Sequence, residues 1–287
     1  MDIYFIDGQF VETSKAVVSV KDLAVLRGYG VFDFLRTYGK RPFHLEDHLI
    51  RLQRSARLIG LPFPWSRSEL AAVVTEGIER SPHSECNVRL LVTGGSSDDS
   101  ITPGETPRLM VMVTDLHRLP SSWYEEGVKI ITSHIDRLVP EAKSINYIPG
   151  ILALRDAREQ GAVEAVYVNF LGQVLEGTTS NFFGFMGDTL VTPERGILPG
   201  ITRQVVLDLT RDVFPVEARP LHRNELRLLD EAFVTASNKE ILPVVRIDSI
   251  PMGDGSVGDR TRRVMSIFNE YTRRYASSAS GQAPAAE

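Results

Sequence analysis

One cysteine, Cys86, stands alone among 287 residues, so no disulfide can close within the chain. No apolar stretch approaches the ~18 residues that a membrane-crossing helix needs. Basic residues are not in excess: 32 Lys and Arg against 37 Asp and Glu leave a net charge of −5. That balance supplies no general positive field for a nucleic acid, although arginines can still gather around a small anion. The first residues, Met1-Asp2-Ile3-Tyr4, lack the basic start and apolar core of a secretion signal. These absences lead us to expect a protein of the reducing cytoplasm, with neither a nucleic-acid nor a membrane partner and no metal site.

The remainder is ordinary globular composition, 43% hydrophobic and 24% charged. The length suits one large domain or two medium ones. Such a chain buries about three quarters of its extended surface. Asp7-Gly8 between Tyr4-Phe5-Ile6 and Phe10-Val11 predicts a tight hairpin. A strand is predicted over 29–38. A helix over 45–59 follows, because Leu45, Leu49, Leu52, Ala56 and Ile59 form one apolar stripe, with Gly60 to stop it. Further helices are predicted over 68–79, 149–160, 202–213 and 257–275. Strands are predicted over 88–93, 108–113, 128–133, 165–169, 173–176, 181–185, 189–192, 231–235 and 242–246.

The expected fold class is α+β in two domains: a small N-terminal α+β domain over 1–116, a linker over 117–124, and a larger C-terminal domain over 125–275. The small, polar stretch 276–287 is expected to be a disordered tail. Two such domains meeting at a linker offer a natural ligand cleft.

Several residues can carry chemistry. The amine of Lys143, in Lys143-Ser144-Ile145-Asn146-Tyr147, can hold an aldehyde as a Schiff base. The carboxylate of Glu176, in Leu175-Glu176-Gly177, can hold a pyridine nitrogen protonated. Together they describe the two ends of pyridoxal phosphate. Either one alone is more often a solvated surface residue. Leu198-Pro199-Gly200-Ile201-Thr202-Arg203 runs through a turn into a helix, so the N–H groups of Ile201 and Thr202 can cradle an anion. The bland alternative has Thr202 capping its own helix. Thr235-Ala236-Ser237-Asn238-Lys239 is either a second set of donors to the same anion or a polar turn. Arg51 either belongs to a solvated face with Arg54 and Arg57 or turns inward as a bidentate phosphate ligand.

The ordered set resembles the fold-type IV pyridoxal-phosphate enzymes, the family of branched-chain and D-amino acid aminotransferases. The resemblance rests on His48-Leu49-Ile50-Arg51-Leu52, Lys143-Ser144-Ile145-Asn146-Tyr147, Leu175-Glu176-Gly177-Thr178-Thr179-Ser180-Asn181-Phe182-Phe183, Leu198-Pro199-Gly200-Ile201-Thr202-Arg203 and Thr235-Ala236-Ser237. It implies a two-domain enzyme whose larger domain is α/β-barrel-like, with pyridoxal 5′-phosphate as cofactor. It implies that Lys143 is the catalytic amine, Glu176 faces the ring nitrogen and Tyr147 contacts the ring's 3-oxygen. Arg51, Ile201, Thr202, Ser237 and Asn238 would hold the phosphate. Relatives are at least homodimers with partly shared active sites.

The substrate is set elsewhere. Leu26-Arg27-Gly28-Tyr29-Gly30-Val31-Phe32-Asp33 has Arg27 where branched-chain enzymes typically carry tyrosine, and Asp33-Phe34 where they carry Glu-Gly. In Asn87-Val88-Arg89-Leu90-Leu91-Val92-Thr93, Arg89 falls on the strand face opposite Val88, Leu90 and Val92. Arg27 and Arg89 together resemble a less usual group of D-amino acid aminotransferases in which two arginines bind the substrate's α-carboxylate. Each arginine could instead pair with an acid and serve the structure. The expectation is transamination between a D-amino acid, such as D-alanine or D-glutamate, and a 2-oxo acid such as 2-oxoglutarate or pyruvate. The alternatives are an L-branched-chain aminotransferase, an (R)-amine transaminase, an aminodeoxychorismate lyase, or a non-catalytic dimeric binding protein.

Overall fold

The computed structural model describes residues 2–278. The chain divides into two compact units. The first holds the chain up to His117, Glu141–Asn146 and the stretch from Tyr275; the second holds Arg118–Pro140 and Tyr147–Arg274. The segment bearing Lys143, expected in the C-terminal domain, thus groups with the first unit. Of the tail expected over 276–287, Ala276 and Ser277 are helical and 279–287 lie outside the described residues.

In the first unit, β1 (Ile3–Ile6) and β2 (Gln9–Val11) form the predicted hairpin. Asp7 and Gly8 take φ values of 47° and 93°, the positive pair such a turn needs. A five-residue helix that the sequence reading missed, α1 (Leu23–Arg27), precedes β3 (Gly30–Tyr38) and the short β4 (Arg41–Pro42). Helices α2 (Leu45–Leu58) and α3 (Arg67–Arg80) lead to β5 (Cys86–Thr93) and β6 (Arg108–Asp115). The six strands order as β2-β1-β6-β5-β3-β4. Alternation gives the sheet two unlike faces. Val31, Leu35, Val88, Leu90, Val92, Val111 and Val113 pack with Leu49, Leu52 and Ala56 of α2 and Leu70, Val74 and Ile78 of α3. Burying each large apolar side chain there stabilises the unit by about 1.5–3 kcal/mol. On the other face, Phe34 stands opposite Arg89, and Arg89 opposite Met112.

In the second unit, α4 (Ser122–Glu125) begins within the stretch expected to be a linker and ends one residue beyond it. It is followed by β7 (Val128–His134), α5 (Ile148–Glu159), β8 (Glu164–Val168), β9 (Gln173–Gly177), β10 (Asn181–Met186) and β11 (Thr189–Thr192). Then come α6 (Ile201–Thr210), β12 (Val216–Ala218), β13 (Leu221–His222), β14 (Glu231–Ala236), β15 (Glu240–Ile247), β16 (Ile250–Pro251) and α7 (Asp259–Ser277). The sheet runs β12-β11-β10-β14-β15-β7-β8-β9-β13, and a further pairing of β9 with β10 closes its middle into a ring. This is the barrel-like domain expected. The closing pair is Glu176 opposite Asn181. Phe182, Val234, Leu242, Val244 and Val166 are among the buried core residues of this unit. No helix among the described residues is long and apolar enough to cross a membrane.

Candidate active site

The Lys143 segment is held by a single β-bridge to β3. Phe32 N donates to Lys143 O at 2.9 Å and Ile145 N to Gly30 O at 3.1 Å, so residues 143–145 extend beside β3. Gly30 permits this: a Cβ there would lie 2.7 Å from Val92 O and 3.0 Å from Ile145 Cδ1. Lys143 N also donates to Ser55 Oγ on α2 at 3.1 Å. With its backbone fixed, the Lys143 side chain places Nζ 4.7 Å from the centre of the Phe32 ring. The Arg89 guanidinium lies 5.1 Å from the same ring and 5.3 Å from that of Phe34. The predicted catalytic amine and one predicted carboxylate ligand therefore both lie against one phenyl ring. Arg27 ends α1, which Gly28 caps at φ 65°. It is exposed; Nη1 donates to Leu26 O at 2.8 Å, and among the described residues it pairs with no acid.

Arg51 is buried, and its Nε–Nη2 edge is engaged by Asp33. Nε and Nη2 donate to the two oxygens of Asp33 at 2.9 and 2.7 Å. His48 Nδ1 lies 2.6 Å from Asp33 Oδ1. Asp33 is fully buried; burial pushes its carboxyl up, but Arg51 and His48 outweigh this and hold it far below the usual carboxylate range. Burial likewise depresses His48, which is therefore neutral and donates from Nδ1. Its Nε2 is buried without a partner among the described residues.

These shifts fix a pH dependence. Both folded-state values lie below the unfolded ones, so the stabilisation is complete above the unfolded pKa and is lost as pH falls through the folded one. His48 should begin to cost stability below about pH 6.5, and Asp33 below about pH 4. Melting midpoints recorded from pH 8 down to pH 3.5 should show a plateau and then two stages of decline, the first absent from His48→Gln. A midpoint that rises on acidification contradicts this assignment.

In the second unit, Glu176 is 4% exposed. It forms an ion pair with Arg137, and Oε2 accepts from Leu198 N at 2.8 Å. Asn181, its partner across the closing pair, donates from Nδ2 to Leu198 O at 2.9 Å. Glu176 and Asn181 thus latch the turn that starts α6. Gly200 is the N-cap and no side chain caps the helix, so Thr202 is an internal residue and not the cap. A Cβ on Gly200 would fall 1.8 Å from Asn181 Oδ1. The N–H groups of Ile201 and Thr202 open a helix whose dipole is positive at that end. Thr235 stands opposite Asn181 across β14 and β10, and its hydroxyl is buried without a partner among the described residues. Ser237 is half-buried and Asn238 exposed in the turn that follows. Tyr147 precedes α5 as its N-cap. Burial and then Tyr147 raise the Tyr167 hydroxyl, with Arg137, Glu164 and Glu176 also acting on it, so these groups share one neighbourhood.

Lys239, which closes the Ser237-Asn238 turn, is paired with an acid. It is buried and donates to Glu164 Oε2 at 2.8 Å. Sequence reasoning also missed Asp33, His48, Arg137, Glu164 and Asn181. Asp33, His48 and Asn181 lay inside quoted motifs; Arg137 and Glu164 carried no local signal.

The comparisons with known proteins point to one family. The amino-transferase class IV family profile matches residues 30–247. A Methanocaldococcus jannaschii protein named "Putative branched-chain-amino-acid aminotransferase" is 32% identical, over 96% of this chain and 98% of its own length. The D-alanine aminotransferase of Staphylococcus aureus is 30% identical, over 94% and 98%. Among solved structures, the branched-chain amino acid aminotransferase of Escherichia coli superposes with a TM-score of 0.89 at 27% identity, covering 94% of this chain and 94% of that one. The fold and its residues define a pyridoxal-phosphate enzyme. The chain belongs to the class IV aminotransferases.

The residues present fit the cofactor. The second unit offers a buried carboxylate in Glu176, a helix end free of side-chain caps at the start of α6, and a buried hydroxyl in need of a partner in Thr235. The first unit offers the amine of Lys143. When bound, pyridoxal phosphate would supply an electron sink for Cα–H cleavage and amino-group transfer.

Proposed function

We propose that this aminotransferase moves an amino group between a D-amino acid, of the D-alanine or D-glutamate type, and a 2-oxo acid such as 2-oxoglutarate or pyruvate. The observation that carries the reading is Arg89 beside Phe32, on the same ring as Lys143. A guanidinium fork satisfies a carboxylate with two charge-assisted hydrogen bonds, which suits an acid substrate better than a hydrocarbon side chain. Arg27, exposed and paired with no acid among the described residues, supplies the second fork.

Lys143 acts twice in this scheme. Its amine would hold the cofactor at rest, and would hold and return the proton taken from the substrate's Cα. Glu176, paired with Arg137, would keep the ring nitrogen protonated, and Tyr147 would orient the 3-oxygen. Ile201 and Thr202, through their backbone N–H groups, hold the phosphate with Ser237, Asn238 and Arg51, the last oriented by Asp33. The two half-reactions share one site, so the kinetics are ping-pong. A cytoplasmic homodimer is part of the same proposal; a sedimentation mass of a single chain contradicts that part.

Arg89→Met tests the substrate assignment. Loss of one charged fork should raise the KM for both D-amino acid and 2-oxo acid by about 10- to 100-fold. Cofactor retention should be unchanged. An unaltered KM removes Arg89 from the carboxylate site.

A further inference from the structure

Glu164 and Lys239 take no part in the chemistry above, yet they are built into the same unit with unusual completeness. Glu164 opens β8 and is 0% exposed; Lys239 is 8% exposed. Glu164 Oε1 accepts from Ala165 N at 3.0 Å, from Thr178 N at 3.1 Å and from the Thr178 hydroxyl. Oε2 accepts from Thr179 Oγ1 at 3.0 Å, Ser180 Oγ at 3.1 Å and Lys239 Nζ at 2.8 Å. Lys239 Nζ also donates to Thr179 Oγ1. Burial pushes the Glu164 carboxyl up, but Lys239 and the hydroxyls bring it below its ordinary value.

The partners of this one carboxylate come from two places that matter. Thr178, Thr179 and Ser180 form the turn that leaves Glu176 through Gly177. That turn is closed so tightly that a Cβ on Gly177 would lie 2.2 Å from Ser180 Oγ and 3.2 Å from Glu164 Cδ. Lys239 ends the turn that carries Ser237 and Asn238, with its own N donating to Ala236 O at 3.1 Å and its O accepting from the Tyr124 hydroxyl at 3.1 Å. A buried ion pair adds little net stability over well-packed apolar side chains. What it adds here is a fixed spacing between two turns.

We propose that Glu164 and Lys239 are positioning residues that set the distance between Glu176 and the Ser237-Asn238 loop, so that the cofactor is gripped at both ends in register. This rests on assigning Glu176 to the ring nitrogen and Ser237-Asn238 to the phosphate. The role is separable from simple stability, because the two charges can be removed together.

The test uses purified apo-protein, its thermal midpoint, and its Kd for pyridoxal phosphate. Lys239→Met strands a buried carboxylate and should lower the midpoint and weaken cofactor binding. The double variant Glu164→Gln with Lys239→Met should recover most of the midpoint while its Kd stays at least about 10-fold above the parent. Thr179→Val removes the bridging hydroxyl without stripping either charge of its partner. It keeps the proposal testable should the charge variants fold poorly, and should raise Kd by a few-fold with a smaller loss of midpoint than Lys239→Met. Parental Kd in the double variant or in Thr179→Val overturns the proposal, since a structural role alone would leave binding intact. Glu176→Gln and Ser237→Ala serve as references. If neither changes Kd, the assignment of the two ends has failed, whatever the pair does.

Discussion

Lys143→Ala is expected to abolish transamination, with a loss on the order of 10⁴-fold or more in turnover, because one side chain serves as both cofactor tether and proton carrier. The protein should still fold. The Lys143 backbone is held through Phe32 N and Ser55 Oγ, and its truncation leaves those bonds in place. The variant should therefore melt near the parent, bind pyridoxal phosphate reversibly, and lose it on dialysis together with its visible absorption band. Persistent activity in a dialysed Lys143→Ala preparation would place the catalytic amine elsewhere.

Asp33→Ala is expected to carry the largest penalty in stability. It leaves the Arg51 guanidinium buried with its two hydrogen bonds at 2.9 and 2.7 Å removed. It also strips His48 of its acceptor at 2.6 Å. Breaking a buried pair in this way costs about 3–5 kcal/mol. Denaturant titration of the apo-protein measures it directly. Pairing the change with Arg51→Met should return much of the loss, since no charge is then stranded, while the affinity for pyridoxal phosphate stays weakened. A midpoint within error of the parent in Asp33→Ala alone would mean that Arg51 does not depend on Asp33.

Much of this was legible in the chain, and the reasons divide cleanly. Helix α2 follows from one apolar stripe and a stopping glycine, and the first hairpin from Asp7-Gly8, because local pattern and tertiary packing agree there. The alternation that set Arg89 apart from Val88, Leu90 and Val92 is what the sheet uses: those three are fully buried, and Arg89 stands on the other face. Short elements such as α1 and α4 escaped, since four or five residues carry too little periodicity to register. What stayed hidden was long-range pairing. Nothing near Lys143 announces that its backbone extends beside β3, nor does Arg51 reveal that its fork belongs to Asp33. Lys239 gives no sign in the sequence of its buried pairing, because its partner Glu164 is 75 residues away. Motif reading finds the groups that touch a ligand; the groups that hold those groups are found only in three dimensions.

The proposed preference for D-amino acids is read most directly from the rate at which single substrates discharge the cofactor-loaded enzyme. Stopped-flow absorbance with D-alanine, D-glutamate and L-leucine, each without an acceptor, reads that half-reaction alone. A D-substrate is expected to convert the enzyme faster than L-leucine, and Arg89→Met to erase most of the advantage. Faster conversion by L-leucine would contradict the D-specific reading and make this a branched-chain enzyme on the same scaffold.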